Sequence, residues 1–377
     1  MKAKALVISE DHYNALGVIR SLGEEGIPVD LILTTESKKT FVDKSKYISN
    51  VVRVSHDDVQ IVEAIISLSK NADRCYLFPL SDYTAMLVDK RFQEFGKSIV
   101  CPNMNGNMLT FQNKIVSKEL ATQCGMKTAK STLHIIGDPI NWSIFPAIIK
   151  PLVSQEGAKS DISIVNSFQE LKEALNKFSM KKYKQVLIEE YLTGKSEKMI
   201  EVLGCRCSDS ILIGGIVSKI REYPMRRGST SYAEIVFEQN GIDVDAIKKY
   251  INKTGFDGLF DVEFKYVDGV CYFIECNFRN GAPSYALTQF GCNLPYNWIA
   301  GKNGGVIKTI QKTDSRMLFM CEQTDFLNAI KKEITLKQWF MDYRIARKVF
   351  KGEKDISPVI HYYLQFFGML VKRIARR

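Results

Sequence analysis

Short apolar runs alternate with helical-period stretches through the first hundred residues. Residues 4–9 (KALVIS), 29–33 (VDLIL), 51–54 (VVRV), 75–79 (CYLFP) and 98–101 (SIVC) are apolar nearly throughout. Runs of that kind suit strands covered on both faces. Residues 14–25 carry a helical pattern that stops at Gly26-Ile27-Pro28. Strands alternating with helices predict a parallel sheet with helices packed on it. No GxGxxG follows the first strand, so the dinucleotide fingerprint is absent.

A second pattern begins near Leu109. Residues 111–124 (FQNKIVSKELATQC) predict one helix, with Gly125 as its C-cap. An apolar strand ends in IIKP (148–151), and a polar loop, SQEGAKSD (154–161), follows. A strand over 162–165 and a helix over 167–178 lead to VLIEEYL (186–192). Then come MIEVLGC (199–205), ILIGGIVSKI (211–220) and AEIVF (233–237), a helix over 243–254, and two long strands, 258–267 and 270–278. Segregated strands and helices of this kind read as α+β. The units implied are 1–108, 109–325 with a smaller unit of about 125–188 inside it, and a basic helical segment, 326–377.

The last two strands flank Asp268-Gly269, a strong hairpin signal. A three-residue turn, Val267-Asp268-Gly269, would put Asp261, Glu263, Phe273, Glu275 and Asn277 on one face, with Glu275 opposite Asp261 and diagonal to Glu263. A two-residue turn would pair Glu263 with Ile274 and turn Glu275 away. Converging carboxylates repel unless a cation neutralises them, and oxygen ligands suit a hard ion such as magnesium. The plainer alternative is a solvated sheet face.

Other residues acquire meaning only beside that hairpin. Lys150 ends its strand where an ammonium can meet phosphate, or where it can snorkel to water. Lys114 lies on the preceding helix. GKS at 194–196 resembles the end of a P-loop, but the glycine required five places earlier is Glu189, so that reading fails. VLIEEYL puts two carboxylates at a strand end, near a purine edge or simply in water. Asp11, His12, Asn14 and Asp82 fall in loops at strand ends that face the expected crevice, where they either read a substrate amino group or are ordinary loop polarity.

Charge changes the picture at one end. The chain of 377 residues has a net charge of +10. Residues 326–377 carry twelve Lys or Arg against four Asp or Glu, a net of +8, which leaves +2 for the rest. A nucleic-acid-binding body is therefore disfavoured. Thirteen mostly apolar residues, Val359 to Val371, precede Lys372, Arg373, Arg376 and Arg377. That pattern suits either an interfacial helix on an anionic membrane or a helix packed on the protein. No run reaches the roughly 18 apolar residues needed to span a bilayer. Nine scattered cysteines without a CxxC, and no export signal at the start, point to reduced thiols and a cytoplasmic site, with the inner membrane surface as a refinement.

In order, NK (113–114), IIKP (148–151), IEEYL (188–192), DVEF (261–264) and IECNFRNG (274–281) resemble the ATP-grasp superfamily. The resemblance is to the branch with biotin carboxylase, the carbamoyl-phosphate synthetase large subunit and the D-alanine and D-aspartate ligases. It covers roughly residues 109–305, preceded by an α/β domain. The resemblance implies ATP and Mg2+ (or Mn2+) as cofactors. Lys114 and Lys150 would contact phosphates. Glu189, Glu190, Tyr191 and Leu192 would form the strand along adenine, and Glu197 would bind ribose. Glu263, Glu275 and Asn277 would hold metal. Arg279, with Arg221 as second candidate, would bind the substrate carboxylate or transferring phosphoryl group, and Asn280 would line the same pocket. The phosphate-covering loop has one glycine, fewer than usual, with Lys159 and Ser160 as stand-ins. The implied activity is an ATP-dependent carboxylate–amine (or carboxylate–thiol) ligase working through an acyl phosphate on small molecules, with a cell-envelope acceptor if the tail meets membrane. Alternatives are a kinase-like or carbamoyl-phosphate-type enzyme and a non-catalytic nucleotide-binding module. A homodimer stands as an open expectation.

Overall fold

The computed structural model describes residues 3–70, 72–152, 161–225, 228–310 and 315–375, with side chains to residue 366 in the last segment. Strands β1 (Ala3–Ser9), β2 (Val29–Leu33), β3 (Ile48–Arg53), β4 (Arg74–Pro79) and β5 (Ile99–Val100) form a parallel sheet in the order β3-β2-β1-β4-β5. Helices α1 (Tyr13–Gly23), α2 (Asp58–Ser69) and α3 (Asp82–Arg91) connect them. The order reverses between β1 and β4, which opens a crevice beyond their carboxyl ends. Residues Tyr13 to Leu22 of α1 are all buried, Arg20 included. A guanidinium tolerates that only when its donors are used. Arg20 donates to the carbonyls of Phe350 (2.6 Å) and Asp355 (2.5 Å) and pairs with the Asp355 carboxylate (3.3 Å).

The helix expected over 111–124 is two: α4 (Met108–Gln112) and α5 (Lys114–Gln123). Asn113 breaks it, because its side chain accepts from the Ile115 amide (3.0 Å) and caps the second helix. After the short strand β6 (Lys127–Thr128) comes a small antiparallel unit. Its strands are β7 (Ser131–Ile135), β8 (Ala147–Lys150), β9 (Ser163–Val165) and β10 (Gln185–Glu190), in the order β7-β10-β8-β9, backed by α6 (Phe168–Met180). It has its own core around Ile149, Leu171, Phe178 and Ile188.

The chain then builds β11 (Glu197–Cys207), β12 (Ser210–Tyr223), β13 (Ser229–Val236), α7 (Val244–Thr254), β14 (Gly258–Val267), β15 (Val270–Asn277), α8 (Ser284–Gln289), α9 (Leu294–Lys302) and β16 (Met317–Met320). With β6 and a later strand, β17 (Arg347–Lys348), these make an eight-stranded sheet in the order β17-β16-β13-β12-β11-β14-β15-β6. One face, with Val202, Phe264 and Phe273, packs on residues of α7 such as Ile247 and Tyr250. Part of the other face, with Leu203, Val217 and Ile235, shares one continuous core with Leu16 and Ile19 of α1. The N-terminal sheet and the large sheet are thus joined through apolar contact and not merely tethered.

The segment after 325 is helical, as expected, but it is not a detached tail. Helices α10 (Glu322–Ile330) and α11 (Leu336–Ile345) precede β17, which pairs in parallel with β16. Helix α12 (Ser357–Ala375) lays Tyr362 against Phe350 and Phe41, with ring centroids 4.9 and 5.4 Å apart. Of the four basic residues at the chain end, Arg376 and Arg377 lie outside the described residues, as do the side chains of Lys372 and Arg373.

Glu322 anchors this segment: its carboxylate accepts from the amides of Phe350 (3.2 Å) and Lys351 (2.5 Å) while only 5% exposed. Burial outweighs those bonds and lifts its carboxyl from 4.5 to about 7. Its folded pKa lies above the unfolded one, so its stabilising effect is complete below about pH 4.5 and is lost as pH rises toward 7. Relative to Glu322→Gln, the wild type is expected to lose roughly 3 kcal/mol across that window in urea titrations. Parallel pH profiles for the two proteins would show that the carboxyl ionises freely.

Candidate active site

The hairpin β14–β15 closes with a two-residue turn, Asp268-Gly269, at φ 45° and 93°. Two left-handed residues in succession make the tight turn that matches strand twist, and this corrects the three-residue expectation. Phe264 pairs with Phe273, and the next pair is Glu263 with Glu275, so Ile274 is an extra, bulged residue. The bulge has a packing reason. A regular strand would put residues 273 and 275 on the same face. Phe273 instead joins Phe264 and Tyr250 in the core, at 6.0 and 5.4 Å between ring centroids, while Glu275 turns to the cleft. Phe273 is therefore not on the carboxylate face. Glu275 stands opposite Glu263, and it is Asn277 that stands opposite Asp261.

Glu201, which the sequence reading missed, pairs with Glu263 from β11. Carboxylate oxygens of Glu201, Asp261 and Glu263 all lie within 4.8 Å of one another. Asp261 is 3% exposed, and its Oδ1 has no hydrogen-bond partner among the described residues. Burial, and then Glu201 and Glu263, hold its carboxyl well above the usual range. Burial and the repulsion of Glu263 likewise raise Glu275, and Lys114 at 4.0 Å offsets them in part. Lys219 reaches Glu201 at 2.9 Å. Burial disfavours its charge, but attraction to Glu201 and Glu263 outweighs that and raises its pKa. Alternation along MIEVLGC, which sets Glu197, Met199 and Glu201 on one face, was the available signal.

Cations gather across from this face. Lys114 opens α5, and Lys118 lies one turn on, on the same side. Glu189 of β10 is held between Lys118 and Lys150, the latter at 3.1 Å. Burial would raise the Glu189 carboxyl, but Lys150 and Lys118 outweigh it and hold it low. Burial lowers the pKa of both Lys114 and Lys118. Glu189 therefore has its side chain in a buried ion triad. The main-chain amides of Glu190 and Tyr191 donate to the carbonyls of Lys130 and Pro146, both at 2.9 Å. Beyond Leu192, Glu197 accepts from the Gly194 amide (2.9 Å) and pairs with Lys265 (2.8 Å), whose ammonium lies over the Tyr191 ring at 4.7 Å. The amides of Lys195 and Ser196 are bound by Asp268, which accounts for GKS without phosphate.

A cleft of about 630 Å3, lined by Tyr191, Glu197, Lys219, Glu222 and Lys265 among others, opens over the charged face. That is room for a nucleotide-sized ligand. A crevice of about 20 Å3 lies among Asp82, Lys114, Glu275 and Asn277, space for one water or ion. Of the phosphate-covering loop, residues 153–160, including Lys159 and Ser160, lie outside the described residues.

The N-terminal crevice supplies the other wall. Arg279 donates to Asp82 (2.8 Å) and to the Asn277 side-chain oxygen (3.1 Å). Asn280 is 2% exposed, donates to the Asn14 side chain (2.6 Å), and takes a return bond at its carbonyl (3.2 Å). A β-carbon at Gly281 would lie 2.4 Å from Leu203 and 3.0 Å from Asp261, so the backbone needs glycine to pass. Asp82 and Asn14 thus meet the NFRNG segment. Asp11 instead binds the amides of Phe41 and Val42, and His12 caps α1. Arg221 lines the same cleft, and its guanidinium donates to Asp325 (3.0 and 2.8 Å) and Asp342 (2.6 Å).

No protein-family model matches the chain. N5-carboxyaminoimidazole synthetase from Staphylococcus aureus superposes with a TM-score of 0.63 at 14% identity, covering 88% of this chain and 86% of that one. Biotin carboxylase from Campylobacter jejuni, solved as a β-γ-ATP complex, gives 0.63 at 17% identity over 81% and 72%. The chain has the ATP-grasp fold. In sequence, 210 residues are 27% identical to the D-alanine–D-alanine ligase of Flavobacterium psychrophilum, 51% of this chain and 62% of that protein. The chain thus matches less than two thirds of that relative's length. Lys118 and Glu201 lie against residues of the motif series, Glu189 and Glu263.

The triad gives a prediction. Glu189→Gln leaves two buried lysines facing each other, so a loss of roughly 3 kcal/mol is expected in urea unfolding. An unchanged midpoint with weakened nucleotide binding would make Glu189 a ligand contact and not a structural tie.

Proposed function

We propose that this chain is an ATP- and magnesium-dependent ligase that joins a small carboxylic acid to an amine. The observation that carries the reading is the cross-strand pair Glu263–Glu275 with Asn277 beside it, with Lys114 at 4.0 Å and the charge of Lys150 acting on Glu275. The names of the relatives, a ligase, a synthetase and a carboxylase solved as a β-γ-ATP complex, support it. The reaction class has two steps: the acid is phosphorylated to an acyl phosphate, and the amine displaces phosphate.

The donor set suits the metal. Two carboxylates and an amide oxygen are hard ligands, and repulsion among these groups is unrelieved without a cation. Asn277 fits although its oxygen accepts from Arg279, because a carbonyl has a second lone pair. Bound there, magnesium would neutralise phosphate charge and polarise the group being transferred. Lys114 and Lys150 place ammonium groups for phosphate, with Lys118 held behind by Glu189. Glu190, Tyr191, Leu192 and Glu197 line the route for base and ribose. Arg279, fixed by Asp82, presents a guanidinium to the acid, and Asn280 holds that segment against α1. Positioning and charge neutralisation supply most of the rate in such transfers.

The test is phosphate release from Mg-ATP over pooled carboxylic acids, with and without pooled amines. Turnover that needs both pools is expected. Turnover with acids alone would favour the kinase-like reading. Glu275→Ala is expected to lose at least roughly 100-fold in turnover with circular dichroism unchanged. Wild-type turnover in that variant would overturn the metal assignment.

A further inference from the structure

Helix α11 is amphipathic twice over. Its inner side is fastened by Asp342 to Arg221 (2.6 Å) and by Trp339, whose ring packs on Phe326 of α10 at 5.0 Å between centroids. The helix therefore needs no further apolar residues to stay in place. Yet Leu336, Phe340, Met341 and Ile345 are 62%, 56%, 54% and 65% exposed. At 3.6 residues per turn these four, with the exposed Lys337 and Arg344, cover about half the helix circumference. Four large apolar side chains standing clear of the surface beside two cations are more than scattered exposure explains.

A second feature adjoins them. At the carboxyl end of α11 a pocket of about 370 Å3 is lined by Tyr343, Arg347, Lys348, Lys351 and Glu353 among others. Lys348 and Arg347 are steadied over the rings of Tyr343 and Phe290, each at 4.5 Å. The charge of the segment is also more one-sided at the surface than in the sequence. Of its four acids, Asp342 and Asp355 are buried and paired inward with Arg221 and Arg20, which leaves Glu333 and Glu353 outside.

We propose that the outer face of α11, with the basic pocket at its end, docks on an anionic bilayer. Apolar side chains that project from a convex surface, flanked by lysine and arginine, match the boundary between acyl chains and anionic headgroups. A second copy is the weaker occupant, because antiparallel two-fold packing of this helix sets Lys337 against Arg344 of the other copy, like charge against like. Among the described residues no helix is long and apolar enough to cross a membrane, so the contact is peripheral. This inference stands apart from the ligase reading, and its test does not use turnover.

The full chain is floated with phosphatidylcholine vesicles, with and without phosphatidylglycerol, at low and high salt. Binding that requires phosphatidylglycerol and weakens with salt is expected. Phe340→Ser with Ile345→Ser is expected to lower vesicle partitioning about tenfold or more with unchanged helix content, since both side chains are exposed. Lys348→Gln with Lys351→Gln is expected to weaken it as well. The proposal fails if the wild type ignores both vesicles or binds them equally. It also fails if the Phe340/Ile345 variant still floats, which would move the contact to another surface such as α12. A wild-type dimer by light scattering that becomes a monomer in that variant would make the face a self-interface.

Discussion

Two carboxylates on neighbouring strands, directly opposed in a partly closed cleft, cannot both carry charge cheaply. Glu263 and Glu275 are in that position, and Glu201 and Asp261 crowd the same face. Much of the surrounding structure answers this repulsion. Lys219 comes up from β12, Lys114 from the start of α5, and Arg279 from the end of the hairpin, itself balanced by Asp82. The site is a lattice of alternating charge, with the carboxylates outnumbering the cations at its centre. A ligand that brings both metal and phosphate completes the alternation.

The alternation also crosses unit boundaries. Asp82 comes from the N-terminal sheet, Lys118 from the helix behind the large sheet, and Glu189 and Lys150 from the small sheet. Alone, the small sheet would keep Glu189 paired with Lys150, whereas Lys118 and Asp82 would lose the partners named here. The same economy recurs at Arg20, Arg221 and Glu322, where buried charged groups tie the late segment to earlier elements or to itself.

How much of this was legible depended on how local the deciding contact was. Apolar runs announced the parallel sheet because strands buried on both faces need little else. Asp268-Gly269 announced the hairpin, and the carboxylates on it announced a cation. The bulge at Ile274 was not legible, because it is set by whether Phe273 turns toward Tyr250, a contact with a helix twenty residues earlier. The split at Asn113 was written in the residue, a strong N-cap in the midst of a helical pattern, and was passed over. Lys118 was recoverable from its spacing to Lys114, and Glu201 from strand alternation. Arg221 was legible as a residue of the cleft, but not as one whose guanidinium is held. Its partners, Asp325 and Asp342, lie about a hundred residues away, and nothing near it gave them away. The late segment betrayed its helices and its charge, but not that two of its residues would become the edge strand β17.

The division of the apolar core has a mechanical meaning. The N-terminal and large sheets share one core, so they move as one block. The small sheet has a core of its own. The boundary between the two cores is where the least apolar packing would have to part if the small sheet turned against that block. The Lys118–Glu189–Lys150 triad spans that boundary, where β8 and β10 meet α5. Being electrostatic, it tolerates small changes of angle that interlocked side chains would resist.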